Sequence, residues 1–406
     1  MNILFFNRSF YPDTEATGQF LTELCEDLIE FGHKVTVIAG MSYHVDNKER
    51  RFLIKHETYK SVDIIRASGT LLPKRFLFFR LINLGTYYLS AFLGGFFVKN
   101  KPDVIVVQTD PPLLGILGIF FSRWYKAKLI YSCKDIYPEV GIITGRLTNP
   151  VLNFLLKIVN SNSFKVSDLV ICLGDDMKRV IINKGVNENK IAVIRDWADT
   201  SVLYPVPNDE NKFRNENDLQ NHFTIMYSGN IGLAQDLEKV IYVANHFKNK
   251  SNIKFVFVGD GANKHKLQVL SEELKLSNVL FLPYQPKDEL KYSLSSPDLH
   301  LITFQKGLSG IMVPSKIYGI LACGKPFVAW TDEESEIYTI AHRFNCGLTV
   351  SSGDVTKMIS AIEWSVNNTS KLREMGENGR RAAVEFFDRK ISTGKMNKTL
   401  LSVNHN

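Results

Sequence analysis

The sequence predicts an α/β protein made of two doubly wound domains of parallel strands that face each other across a cleft. Three observations lead there. Short apolar runs rich in Val, Ile and Phe recur from end to end and are separated by longer amphipathic stretches, the pattern of parallel strands joined by crossover helices. The series breaks once, near Leu203, at the polar and proline-bearing stretch Y-P-V-P-N-D-E-N-K-F-R-N-E-N-D-L-Q-N, and then begins again. The chain has 406 residues, which suits two domains, because single cores stop growing near about 250–300 residues. The expected division is 1–202, 203–386, and a terminal helical stretch at 387–406 that packs back on the first domain.

The first domain's strands are expected at N-I-L-F-F, K-V-T-V-I-A, D-V-I-V-V-Q, K-L-I-Y-S, D-L-V-I-C-L and K-I-A-V-I-R. Those of the second are expected at F-T-I-M-Y-S, I-K-F-V-F-V, N-V-L-F-L, D-L-H-L-I-T, P-F-V-A-W and G-L-T-V. Each is a β-branched or aromatic run flanked by turn residues. Late in the second series, V-P-S-K-I-Y-G-I-L-A-C-G-K-P reads as a short apolar helix. Ser315 is expected to cap its start, Gly324 to sit just past its end and Pro326 to stop it.

An apolar content of 45% with 22% charged residues excludes a disordered chain. The five cysteines are widely spaced and contain no C-x-x-C, which supports neither a zinc site nor a disulfide framework and fits a reducing, cytoplasmic compartment. Met1 leads straight into a strand, so no signal peptide is expected. The net charge of +7 is modest but uneven. Between residues 74 and 130 eight basic residues stand against two acidic ones, and the same region holds the aromatic segment 76–98, whose only charge is Arg80. That segment reads as a buried core helix or as an interfacial helix on a membrane surface. A membrane span is disfavoured, since its uncharged part has 17 residues including three glycines, against about 20 needed.

Several turns could carry chemistry. In Y-P-D-T-E-A-T-G-Q-F, from Tyr11, Gly18 follows the first strand and opens a helix, where it lets a phosphate approach or simply makes the turn. In M-Y-S-G-N-I-G-L-A-Q, Gly229, Asn230 and Gly232 occupy the strand-to-helix turn that cradles phosphates in α/β folds. In K-D-I-Y-P-E, Lys134, Asp135 and Glu139 follow a strand's carboxyl end, where carboxylates orient an acceptor hydroxyl, take its proton, or are merely solvated. Arg195, in I-R-D-W-A-D, could reach a phosphate or form an ion pair at the hinge. No D-x-D occurs, so a carboxylate-held metal is not expected and the positive groups must come from the protein. Lys316 is the best of these. A lysine is disfavoured in a helix's first turn unless an anion lies between it and the free N–H groups, and with Pro314 and Ser315 it suggests half of a diphosphate clamp.

Taken together these segments resemble family 4 of the retaining GT-B glycosyltransferases, over nearly the whole chain and in the right order. They are most similar to the exopolysaccharide and O-antigen branch that includes colanic-acid and fucosamine transferases. The matching stretches also include D-P-P-L-L-G, V-G-D-G and F-L-P-Y-Q-P. The resemblance implies two Rossmann-like domains, an acceptor-binding first and a nucleotide-sugar-binding second. It implies transfer from a nucleotide diphosphate sugar, UDP favoured, to a polyprenyl-diphosphate-linked or other glycan. The enzyme would work without a cofactor, peripherally on the inner face of the cell membrane, with no nucleic-acid partner. By motif, Gly18 would border the donor phosphate, Lys134 and Asp135 would stand beside the transferred sugar, Tyr284 and Gln285 near the nucleobase, and Ser315 and Lys316 near the diphosphate. The family's paired glutamates fall on Ile311 and Gly319, and neither is a glutamate here. The alternatives are a nucleotide-sugar epimerase of the same architecture and a non-catalytic sugar-nucleotide-binding subunit.

Overall fold

The structure, a computed structural model, describes residues 1–13, 15–41, 53–70, 72 and 77–405. The chain forms two compact units, one of residues 1–142, 147–194 and 393–406, the other of 143–146 and 195–392. The break thus falls at Ile194, at the end of the last strand of the first series, and the terminal residues from Thr393 group with the first unit.

In chain order, the first unit contains β1 (Asn2–Phe6), α1 (Ala16–Glu30), β2 (Lys34–Gly40), β3 (Ile54–Tyr59), β4 (Val62–Ala67), α2 (Leu77–Gly94), β5 (Val104–Gln108), α3 (Leu114–Tyr125) and β6 (Lys128–Ser132). Next come α4 (Glu139–Ile143), α5 (Pro150–Val166), β7 (Leu169–Cys172), α6 (Asp175–Asn183) and β8 (Ile191–Val193). Its sheet has the order β3-β4-β2-β1-β5-β6-β7-β8, parallel except for β3, which runs antiparallel to β4 at the edge. The chain order reverses between β1 and β5, the switch point outside which ligands bind in such sheets. The six expected strands are all present. The β3–β4 hairpin was not foreseen: β3 is a polar edge strand carrying Lys55, His56 and Glu57, and its turn at Lys60 and Ser61, both at positive φ, lacks the Asn-Gly signal.

The second unit contains α7 (Lys212–Glu216), β9 (Phe223–Ser228), α8 (Leu237–His246), β10 (Ile253–Val258), α9 (Lys264–Glu273), β11 (Val279–Leu282), α10 (Leu290–Ser295) and β12 (Leu299–Ile302). It continues with α11 (Lys316–Ala322), β13 (Phe327–Trp330), α12 (Glu336–Phe344), β14 (Gly347–Val350), α13 (Val355–Asn367) and α14 (Thr369–Phe386). α15 (Arg389–His405) ends the chain, and within the first unit His33 Nε2 lies 2.7 Å from Asn397 Oδ1 on this helix. The second sheet is wholly parallel, β11-β10-β9-β12-β13-β14, with its switch point between β9 and β12. All six expected strands are there. Alternate residues of β9 serve different cores: Ile225 and Tyr227 pack with α8 and α13 residues, Met226 with Phe213 and Val256. Both faces are therefore covered, which is why these strands read as continuous apolar runs.

The segment 76–98 becomes α2 and a following 3-10 turn, Gly95–Phe97. It is neither a wholly buried helix nor a span. Tyr87, Ser90 and Ala91 are buried, while Phe78, Leu81, Leu89 and Phe97 face outward. Phe96 and Phe97 adjoin the equally exposed face of α3, where Phe96 meets Trp124 at 5.4 Å between ring centroids. Among the described residues no helix is long and apolar enough to cross a membrane. Lys74, Arg75, Phe76 and the side chain of Arg80 lie outside the described residues.

Candidate active site

The carboxyl ends of β9 and β10 bring the second unit's predicted residues together. Gly229 leaves β9 at φ +131° and Gly259 leaves β10 at φ +144°. These are backbone conformations that L side chains rarely adopt. A Cβ on Gly259 would lie 2.0 Å from the Gly229 carbonyl oxygen, so the two turns touch backbone to backbone. Tyr284 stands beside them, its hydroxyl 3.4 Å from the Asp260 carbonyl oxygen and its ring more than half exposed. Gln285 donates to the Pro283 carbonyl. Gly232 lies under the Asn230 and Gln235 side chains, and the Gln235 Oε1 is buried without a hydrogen-bond partner.

Lys316 points into this cluster. Its Nζ sits 3.3 Å from where a Gly229 Cβ would be and 3.5 Å from the centre of the Tyr227 ring, which is itself fixed by a 2.8 Å hydrogen bond from its hydroxyl to the Asn230 carbonyl. The residue keeps some exposure, but the Nζ is shut away from solvent and has no hydrogen-bond partner. Burial pushes the amine well below the usual lysine range. A cation in this place is stabilised by the ring face by about 2 kcal/mol, against an effective burial cost of several kcal/mol per ion, so an anion is needed to close the balance.

The rest of the predicted helix differs in detail. Ser315 has helical φ and ψ and its side chain makes no cap hydrogen bond, so the expected Ser315 cap is corrected: its own helical backbone leaves the hydroxyl without the extended geometry from which a side chain caps. Gly324 does follow the helix, at φ +64°. Ile311 is buried, and position 319 faces Leu294 and Leu203 at 3.2 and 3.7 Å from a built Cβ. Neither of the family's glutamate positions thus supplies a polar group here. Arg195 is engaged by the buried Glu336 at the start of α12, at 2.5 and 3.3 Å. Pro314, between Val313 and Ser315, is half-buried.

In the first unit, Thr109, just past β5, accepts the backbone N–H groups of Lys134 and Asp135 at 3.0 and 3.1 Å and so fixes the loop after β6. The Lys134 Nζ lies 5.7 Å from the Phe20 ring of α1. Glu139 is spent on an ion pair with Lys184. Gly18 is buried, and a Cβ there would meet Ser9 at 3.2 Å, so this glycine lets α1 close on the strand-end loop. Beside it lies a cluster that sequence reasoning missed. Asp110 meets Arg8 at 3.3 Å, the Ser9 hydroxyl at 3.0 Å and the Thr17 hydroxyl at 3.4 Å, and Glu15 takes a 2.5 Å hydrogen bond from Ser9. Burial, and secondarily Glu15, push Asp110 above the usual carboxylate range while Arg8 holds it down. Its members lie about a hundred positions apart, and only D-P-P marked the place. Among the described residues no group of three or more His, Cys, Asp or Glu could hold a metal ion.

Comparison with known proteins follows the same division. Residues 17–202 match the family described as Glycosyltransferase Family 4, and residues 208–382 the family described as Glycosyl transferases group 1. The putative colanic acid biosynthesis glycosyl transferase WcaI of Escherichia coli (strain K12) is 26% identical over 354 residues, 85% of this chain and 86% of that protein. HepE of Anabaena, solved in complex with UDP, has a TM-score of 0.75 at 16% identity, over 99% of this chain and 100% of that one. Sucrose-phosphate synthase from Thermosynechococcus elongatus has a TM-score of 0.79 at 15% identity, over 99% of both chains.

Proposed function

The chain belongs to family 4 of the GT-B glycosyltransferases, and from that premise we propose that it moves a sugar, with retention, from a UDP-sugar to a lipid-linked glycan in cell-surface polysaccharide synthesis. The observation that carries the donor half is the buried, unpartnered Nζ of Lys316 beside the glycine turns at Gly229 and Gly259. A diphosphate there receives the ammonium, with Gly232 and Asn230 bordering it and Tyr284 and Gln285 on the nucleobase side.

In this reading Lys316 neutralises the charge that develops on the departing diphosphate, which in turn accepts the attacking hydroxyl's proton on the same face of the sugar. Asp135 and Lys134, held by Thr109, orient the transferred sugar and the acceptor. Catalysis is then mainly leaving-group stabilisation and positioning. The UDP bound by HepE and the colanic-acid role in the WcaI name support the choice of nucleotide and pathway class. The outward aromatics of α2, Phe97 and Trp124 support a peripheral seat at the cytosolic membrane face, where a lipid-linked acceptor is presented.

A thermal-shift panel of UDP, GDP and ADP, followed by donor hydrolysis without acceptor, tests the proposal. Stabilisation by UDP above the others and slow release of UDP from a UDP-sugar are expected. A preference for GDP or ADP would overturn the UDP assignment.

A further inference from the structure

The surroundings of the Lys316 amine suit its free base better than its ammonium. An ammonium carries three N–H donors, and each needs an acceptor or water once the group leaves bulk solvent. The Lys316 Nζ has neither: it is shut away from solvent, it has no hydrogen-bond partner, and no carboxylate of the described residues pairs with it. What it meets is the face of the Tyr227 ring at 3.5 Å, and the hydroxyl of that ring donates to the Asn230 carbonyl, so Tyr227 is a neutral phenol.

The other elements around α11 do not supply the missing charge. His300 of β12 holds Nε2 2.8 Å from the Leu294 carbonyl, and burial pushes its imidazole down to about 3, which leaves it neutral. Lys291 of α10 and Arg380 of α14 are cations, donating to the Tyr204 hydroxyl and the Ala322 carbonyl, and Lys325 follows the helix as another. Asp260, on the turn after β10, accepts the Gly261 N–H at 2.8 Å. Burial therefore acts on Lys316 unopposed and drives its amine well below the usual lysine range. The Nζ is nevertheless close to the surface, because the Gly229 it adjoins is half-buried and Asn230 is exposed. A diphosphate arriving over Gly229 brings both the acceptors and the negative charge that an ammonium lacks there, and so reverses the preference of the amine.

We propose that the second unit takes up a proton together with its nucleoside diphosphate, the proton passing from solvent to the lone pair of the Lys316 Nζ as phosphate oxygens come within hydrogen-bond reach. The inference rests on the donor-site reading for the place of the diphosphate, while the proton count is its own. Since a proton is a reactant, affinity falls as pH rises, by about tenfold per pH unit between the pKa of Lys316 in the free protein and its higher value in the complex.

Titration calorimetry of UDP into the full chain at pH 8, in HEPES and again in Tris, whose ionisation enthalpies differ, counts the protons. At that pH the terminal phosphate of UDP, with a second pKa of about 6, is already ionised and contributes little. The wild type should take up about one proton per UDP. Lys316→Arg, whose guanidinium stays charged, and Lys316→Met, which has nothing to protonate, should take up none. Either variant serves if the other fails to fold or binds too weakly. Wild-type binding without proton uptake, or the same uptake in a variant, overturns the inference and leaves the donor site standing. Failure of UDP to bind the wild type takes down both.

Discussion

Lys316 costs the unliganded protein stability, and the sign of its pH dependence follows. Its folded-state pKa lies below the ordinary lysine value of 10.5, so between the two the unfolded chain holds a proton that the folded chain gives up. Stability therefore rises with pH through that window, and the cost is greatest at its lower end. Lys316→Met fills the same volume without the charge, so its melting temperature should exceed the wild type's near neutrality and the gap should shrink toward about pH 10. A variant that melts lower at every pH would show that Lys316 has a stabilising partner in the folded state. Asp135 makes a different prediction. Asp135→Asn keeps the shape and the backbone bonds to Thr109, so turnover should fall by about a hundredfold or more, in the range of a lost positioned polar group, with donor affinity and melting temperature little changed. Near-normal turnover would reduce Asp135 to a loop residue. Lys316 was legible in the sequence because a cation in a helix's first turn asks for an anion. The Asp110 cluster was not, since Arg8, Thr17 and Asp110 meet only through the register of β1 against β5.

At the scale of elements, twelve strands were legible because sheets covered on both faces write themselves as unbroken apolar runs. β3 escaped because an edge strand is polar, and its positive-φ turn carries Lys and Ser. The βα turns after β9 and β10 are rigid by construction: at φ +144° and with a carbonyl 2.0 Å from its Cβ, Gly259→Ala must displace the Gly229 strand end. It should cost about 1–3 kcal/mol in chemical denaturation and weaken UDP binding together. Loss of neither would mean that the two turns do not need to touch. α2, the 3-10 turn that follows it and α3 present Phe78, Leu89, Phe97 and Trp124 outward, each at least 57% exposed. α5, which packs beside α3, adds Val151 and Phe154 to the exposed apolar surface. With the basic excess between 74 and 130, this face should bind vesicles containing anionic lipid and release in high salt. Phe97→Ser with Trp124→Ser should abolish the binding, because a few inserted aromatics and basic residues worth about 1 kcal/mol each are all that hold it. No recovery on either kind of vesicle would argue against a membrane seat, and equal recovery on neutral and anionic vesicles against the share given to the basic residues.

For the whole molecule, the two units divide the chemistry by charge. The second carries a buried amine beside the glycine turns, and the first carries a carboxylate cluster. Two doubly wound sheets, each with one switch point, supply one polar strand-end cluster apiece. The account stands on the claim that Lys316 holds a nucleoside diphosphate without help from a metal. Calorimetric titration of UDP in EDTA, into the wild type and into Lys316→Met, tests it most directly. The wild type should bind, and the variant should lose about 1.5–3 kcal/mol, the worth of a hydrogen bond to a charged group. Equal affinities, or wild-type binding that appears only when magnesium is restored, would contradict the claim.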